Sequence, residues 1–131
     1  MAENIDRRAR VLIVDDSTGN VRLLTRILER GGYTDVSGIS DPCLVLARVR
    51  SLDPDLVILD LHMPQLDGLS LMDEIANCAD TDPRFLVVTG DVDERLGSEA
   101  RSRGAHDVIL KPFDVEDVLR RVRRVLAGRR S

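Results

Sequence analysis

The chain has no tryptophan, and only three aromatic side chains, Tyr33, Phe85 and Phe113, occur in its 131 residues. Its core must therefore be aliphatic, and base-stacking recognition of single-stranded nucleic acid is disfavoured. Cysteine is scarce too: Cys43 and Cys78 fit neither a CxxC nor a Cys/His ligand spacing, and are read as reduced thiols. No apolar run approaches the ~20 residues that span a bilayer, and the opening "MAENIDRRAR" is charged and lacks the apolar stretch of a secretory signal. The expectation is a cytoplasmic protein without membrane contact. A net charge of −4 makes the chain a poor partner for phosphate backbones, so no direct nucleic-acid binding is expected. The C-terminal arginines Arg120, Arg121, Arg123, Arg124, Arg129 and Arg130 are read as a solvated helix face. Lysine is scarcest of all. Of 19 basic side chains 18 are arginine, and the exception is Lys111, directly ahead of Pro112.

What is present is an ordinary apolar fraction, 43%, in a length that suits one domain, with a core from about residue 10 to about residue 127. Four runs, Val11–Val14, Leu56–Leu59, Phe85–Val88 and Val108–Leu110, are continuously apolar, as strands buried on both faces of a parallel sheet are. A fifth stretch, Asp35–Ile39, alternates and contains a glycine, which predicts an edge strand. Helical spacing lies between them. Val21, Leu24 and Leu28, with Leu23 and Ile27, form one stripe that stops at Gly31-Gly32. Asp41-Pro42 opens a second helix, and Asp67-Gly68 leads into Leu69, Met72, Ile75 and Ala76. From Asp93 to Arg103 apolar residues are few, predicting a thin, exposed helix. Asp114 caps a last one carrying Val118, Val122 and Val125. Strand and helix alternate five times, which predicts an α/β, doubly wound (βα)5 sandwich with a five-stranded parallel sheet.

In such sheets ligands bind at the carboxyl ends of the strands. There the sequence places Asp15 and Asp16, Asp60, Thr89 and Lys111. Singly each is weak, since an aspartate after a strand is usually a cap and a threonine a β-former. Together they share one pocket. Three carboxylates in one cleft repel one another unless positive charge joins them, and a hard divalent cation with oxygen ligands, magnesium above all, answers that need. A hydroxyl and an ammonium beside a carboxylate–metal centre suit a transferring phosphoryl group, whose equatorial oxygens carry the charge. A carboxylate can itself be the nucleophile. Gly90, after Thr89, leaves room for a phosphoryl donor.

The segments "VDDS", "LDLHMPQLDG", "VVTG" and "LKPF", in this order and spacing, resemble the receiver domain of two-component response regulators, of the chemotaxis-regulator type. The resemblance runs from about Val11 to about Leu126 and implies a flavodoxin-like fold. It implies that Asp60 accepts a phosphoryl group from a phosphohistidine on a sensor histidine kinase or phosphotransfer protein. It further implies that Asp15, Asp16, Asp60 and the His62 backbone carbonyl hold Mg2+, and that Thr89 and Lys111 contact phosphoryl oxygens. A cis bond between Lys111 and Pro112 is implied as well. An arginine at position 111 would bring a planar fork where a compact ammonium is wanted. Such a domain is no enzyme toward other substrates; it catalyses only its own phosphorylation and dephosphorylation, and switches a downstream effector domain or protein. His62 and Asp91 fall at rim positions that influence phosphoryl lifetime, while His106 is read as a solvent-side loop residue.

One departure concerns output. Many receivers carry Tyr or Phe three residues before the lysine, where this chain has Val108. The loop after Thr89 and the thin helix are then expected to take up the response themselves. Two other readings are weighed. A hydrolase with an aspartyl-phosphate intermediate would need a general acid/base close to its nucleophile and a cap; two residues beyond Asp60 stands the rim residue His62 rather than an aspartate, and no insertion is long enough for a cap. A pseudo-receiver would need a broken site, and all five positions are intact. The sequence is compatible with a stand-alone receiver, with the N-terminal part of a longer regulator, and with a dimer formed on phosphorylation.

Overall fold

The computed structural model describes residues 6–63, 66–80, 82–90 and 94–128, and it builds them around one five-stranded sheet. The strands are β1 (Arg10–Val14), β2 (Asp35–Ile39), β3 (Leu56–Asp60), β6 (Arg84–Thr89) and β7 (Asp107–Leu110). They lie in the order β2-β1-β3-β6-β7, every pairing parallel. The helices are α1 (Thr18–Arg30), α2 (Val45–Leu52), α3 (Gly68–Cys78), α4 (Glu94–Ser102) and α5 (Val115–Ala127). Two short strands, β4 (His62–Met63) and β5 (Leu66–Asp67), pair antiparallel between β3 and α3.

Alternation along each strand divides the core into two layers. Leu12, Val14, Val57, Leu59, Phe85 and Val87 face α2, α3 and α4, where they meet Val45, Val49, Met72, Ile75 and Ala100. Their neighbours Val11, Ile13, Leu56, Ile58, Leu86, Val88 and Ile109 face α1 and α5, against Leu24, Ile27, Leu28, Val118, Val122 and Val125. This is why the strand runs are continuously apolar: both faces are covered. The expected edge strand is indeed β2. Its Gly38 permits close approach of α1, because a Cβ there would stand 2.2 Å from Val21 Cγ1.

Helix starts follow side-chain chemistry. Ser17, Asp67 and Asp114 each accept a hydrogen bond from an amide in the first turn of α1, α3 and α5. Three expectations need correction. Asp41-Pro42 opens a 3-10 turn, Pro42–Leu44, before α2 proper begins at Val45. Leu23 stands off the buried stripe of α1, 45% exposed, since one residue before Leu24 it is turned about 100° round the helix from that residue, on the flank of the Leu24–Ile27–Leu28 stripe. Ala76 is exposed as well, and Leu71 takes the buried place on α3. Among the described residues no helix is long and apolar enough to cross a membrane.

Candidate functional site

The carboxyl ends of β1, β3, β6 and β7 deliver their polar residues to one edge of the sheet. Asp15 follows β1, Asp60 and Thr89 end β3 and β6, and Lys111 follows β7. Asp15, Asp60 and Thr89 are 1%, 3% and 1% exposed, so the fold buries two carboxylates side by side. Asp16 is exposed, yet one oxygen from each of Asp15, Asp16 and Asp60 falls within 4.8 Å of the others. Such a cluster, all oxygen donors, has the hardness that Mg2+ prefers.

Backbone amides orient both buried carboxylates. The Ser17 amide donates to Asp15 Oδ1 at 2.9 Å, and the His62 amide donates to Asp60 Oδ1 at 2.9 Å. Lys111 is placed by its own amide, which donates to the Thr89 carbonyl at 2.9 Å, and the bond to Pro112 that follows it is cis. Its Nζ then lies 3.1 Å from Asp60 Oδ2 and 3.5 Å from Asp15 Oδ2. The latter oxygen is buried and accepts no hydrogen bond. A buried carboxylate oxygen in that condition is costly, and it is what a cation would satisfy.

The charges perturb one another. Burial, with the neighbouring Asp60 charge, pushes the Asp15 carboxyl above its ordinary value, against the pull of the Ser17 amide and Lys111. Burial opposes the Lys111 ammonium, but its hydrogen bond to Asp60 and the charges of Asp60 and Asp15 outweigh this and hold its pKa above the usual lysine value. The ammonium is therefore fixed in place as a cation.

Around this centre, Gly90 is exposed and a Cβ there would meet nothing within 4 Å, leaving open space beside Thr89. The His62 side chain is exposed, while its amide supports Asp60. Asp91 lies outside the described residues. His106 is exposed as expected but not idle: its Nδ1 accepts from the Phe85 amide at 3.1 Å. Gly68 was legible only as a turn residue. At its position a Cβ would stand 2.7 Å from Leu61 Cα, so α3 can pack directly behind the segment that follows Asp60 only with glycine there. The "LDG" of the sequence was the available signal.

Comparison with known proteins agrees with this geometry. The family model for the response regulator receiver domain matches residues 11–123. The DNA-binding response regulator MtrA of Mycobacterium tuberculosis is 37% identical over 119 residues, covering 88% of this chain and 50% of MtrA. The protein-glutamate methylesterase/protein-glutamine glutaminase 2 of Anaeromyxobacter dehalogenans is 37% identical over 130 residues, covering 94% of this chain and 38% of that protein. The crystal structure of a response regulator receiver domain protein (CheY-like) from Methanospirillum hungatei matches with a TM-score of 0.83 and 26% identity, over 92% of this chain and 95% of that one. This chain thus spans half or less of the length of these curated relatives. A parallel five-stranded sheet with acidic, hydroxyl and ammonium groups gathered at its carboxyl edge, and these matches, lead to one conclusion: the chain belongs to the response regulator receiver domain family of two-component signalling.

Proposed function

We propose that Asp60 is the phosphoryl acceptor of this receiver and that the donor is a phosphohistidine on a sensor histidine kinase or phosphotransfer protein. The observation that carries this is the Lys111 ammonium 3.1 Å from a buried Asp60 carboxylate, with two further carboxylates within reach. A carboxylate oxygen of Asp60 attacks phosphorus and forms the new O–P bond. The P–N bond to the donor histidine breaks, and its electron pair returns to the imidazole. Lys111 and Thr89 stand on the side where the phosphoryl oxygens arrive, and Lys111 offers them a charge already desolvated in part. Asp15, Asp16, Asp60 and the carbonyl of His62 would hold Mg2+. When bound, that ion neutralises the carboxylates and draws charge from the phosphoryl oxygens.

The same groups support self-catalysed loss of the phosphoryl group to water, with His62 at the rim where water enters. Exposed Leu110 and Val115 bracket the turn that carries Lys111, and offer the donor protein apolar surface next to the acceptor. The relatives join a receiver to different outputs, a DNA-binding regulator in one case and a methylesterase in another. We read residues 10–127 as one receiver unit, working in the cytoplasm and controlling an effector domain or protein by its conformation.

Incubation with acetyl phosphate and MgCl2, read by intact mass, tests this proposal. One phosphoryl group per chain is expected on the natural sequence, none on Asp60→Asn, and none after chelation of the magnesium. Equal labelling of the natural chain and Asp60→Asn would overturn the assignment.

A further inference from the structure

α4 is poorly anchored by apolar contact. Among its described side chains only Ala100 is fully buried, and Leu96 is half-buried. Nine residues with so little burial have no reason to hold one position on packing alone. Charges flank the helix on both sides. Arg103, just past its C-terminus, places Nη1 3.1 Å from Asp73 Oδ2 on α3 and Nη2 3.2 Å from Glu99 on α4 itself. On the other flank Arg101 Nη2 stands 3.6 Å from Asp107 Oδ1, at the start of β7.

Asp107 is shared. The same oxygen accepts from Arg121 Nη1 of α5 at 2.8 Å and from the Val108 amide at 2.8 Å. Arg121 reaches the Asp117 carboxylate too, at 3.1 Å. The burial of these partners differs. The Asp107 side chain is 12% exposed and that of Arg121 28%, so their pair is shielded from salt. Arg101 is 58% exposed, while Arg103 and Asp73 are 35% and 49% exposed, so the contacts made by α4 are open to screening.

We infer that α4 is held by an electrostatic clip, Arg103 to Asp73 on one flank and Arg101 to Asp107 on the other, and that this clip is the conditional part of a network whose β7–α5 part is permanent. α4 can then be released by screening or by a competing charge while β7 and α5 keep their pairing. This goes beyond the proposed phosphorylation of Asp60 and does not rest on it, since the clip belongs to the unphosphorylated chain.

Amide exchange on the full, unphosphorylated chain without magnesium tests it. Raising NaCl from about 0.01 M to about 1 M, which shortens the screening length from about 30 to about 3 Å, should speed exchange over residues 96–105. The expected factor is roughly two- to five-fold, the scale of exposed ion pairs, with Leu56–Asp60 unchanged. Arg103→Gln and Asp73→Asn should each produce a similar acceleration at low salt, and the double variant should add nothing to Arg103→Gln. Exchange of α4 that ignores salt in the natural chain, or single-variant effects that simply add, would overturn the clip.

Discussion

Lys111 Nζ sits between Asp60 Oδ2 and Asp15 Oδ2, 3.1 Å from the first and 3.5 Å from the second. One compact ammonium thus answers two buried carboxylates. A guanidinium carries its donors in a fixed planar fork and cannot occupy that point. Lys111→Arg is expected to keep the fold, because charge is conserved, and still to be phosphorylated. The change in amide exchange that beryllofluoride evokes in the natural chain should shrink to a small fraction in the variant. A full response from the arginine chain would show that charge alone suffices.

The response itself should appear next to Thr89. Val108 is half-buried and packs into the core layer shared with α2, α3 and α4, with no long side chain to swing between positions. Binding of a phosphoryl mimic can shift a chain only through contacts that differ between two conformations, and under the proposed function these are the contacts of Thr89 and Lys111. Altered protection is therefore expected across residues 90–104, with β7 nearly constant. Changes confined to α1 would contradict this route.

Acid should weaken the fold through His106. Partial burial of the otherwise exposed ring first, and the positive charge of Arg84 second, hold its imidazole below the ordinary value of 6.5, with the Phe85 backbone and Asp82 opposing. Protonation of Nδ1 would also take the acceptor from the Phe85 amide. The folded chain thus binds this proton less readily than the unfolded one. The stability tied to it is complete above 6.5 and is lost as pH falls through the lower, folded value. Urea denaturation between about pH 7.5 and about pH 5.5, a span that brackets histidine titration, should show the midpoint dropping. His106→Asn, which keeps an acceptor but does not titrate, should flatten that slope.

Two glycines should respond oppositely to alanine. Gly68→Ala brings a Cβ to 2.7 Å from Leu61 Cα, a backbone atom that cannot step aside. A loss of about 1–3 kcal/mol is expected, typical of overpacking, together with slower phosphorylation because Leu61 adjoins Asp60. Gly97→Ala, inside α4 with nothing within 4 Å of the added carbon, should stabilise by about 0.5–1 kcal/mol. Chemical denaturation of both variants reads the contrast.

Much of the fold could be read from the sequence because burial on both faces removes the alternation from a strand. Leu56–Leu59 and Phe85–Val88 announce central strands, and glycine with alternation marks Asp35–Ile39 as the edge. The juxtaposition of Asp15, Asp60 and Lys111 follows from the rule that places ligands at strand ends. Other features leave no trace in one dimension. The β4–β5 pair has two residues per strand, too few for a period. Leu23 sits among apolar neighbours and looks like core, though its direction on the helix is outward. The arginines of α5 read as a solvated face, and nothing local distinguishes Arg121, which is paired with a carboxylate 14 residues earlier. Gly68 matters through the backbone of Leu61, a contact that exists only once α3 has docked.

The strand order carries a consequence for how the chain comes into service. Asp60 and the ammonium that faces it are 51 positions apart, and the later of the two enters from the edge strand β7. During synthesis β3 is made well before its counter-charge exists, since Lys111 is the only lysine of the chain. The pairing of Asp60 with Lys111 therefore closes only once β7 has docked beside β6, which makes the outermost strand on that side the one that completes the charge balance of the centre.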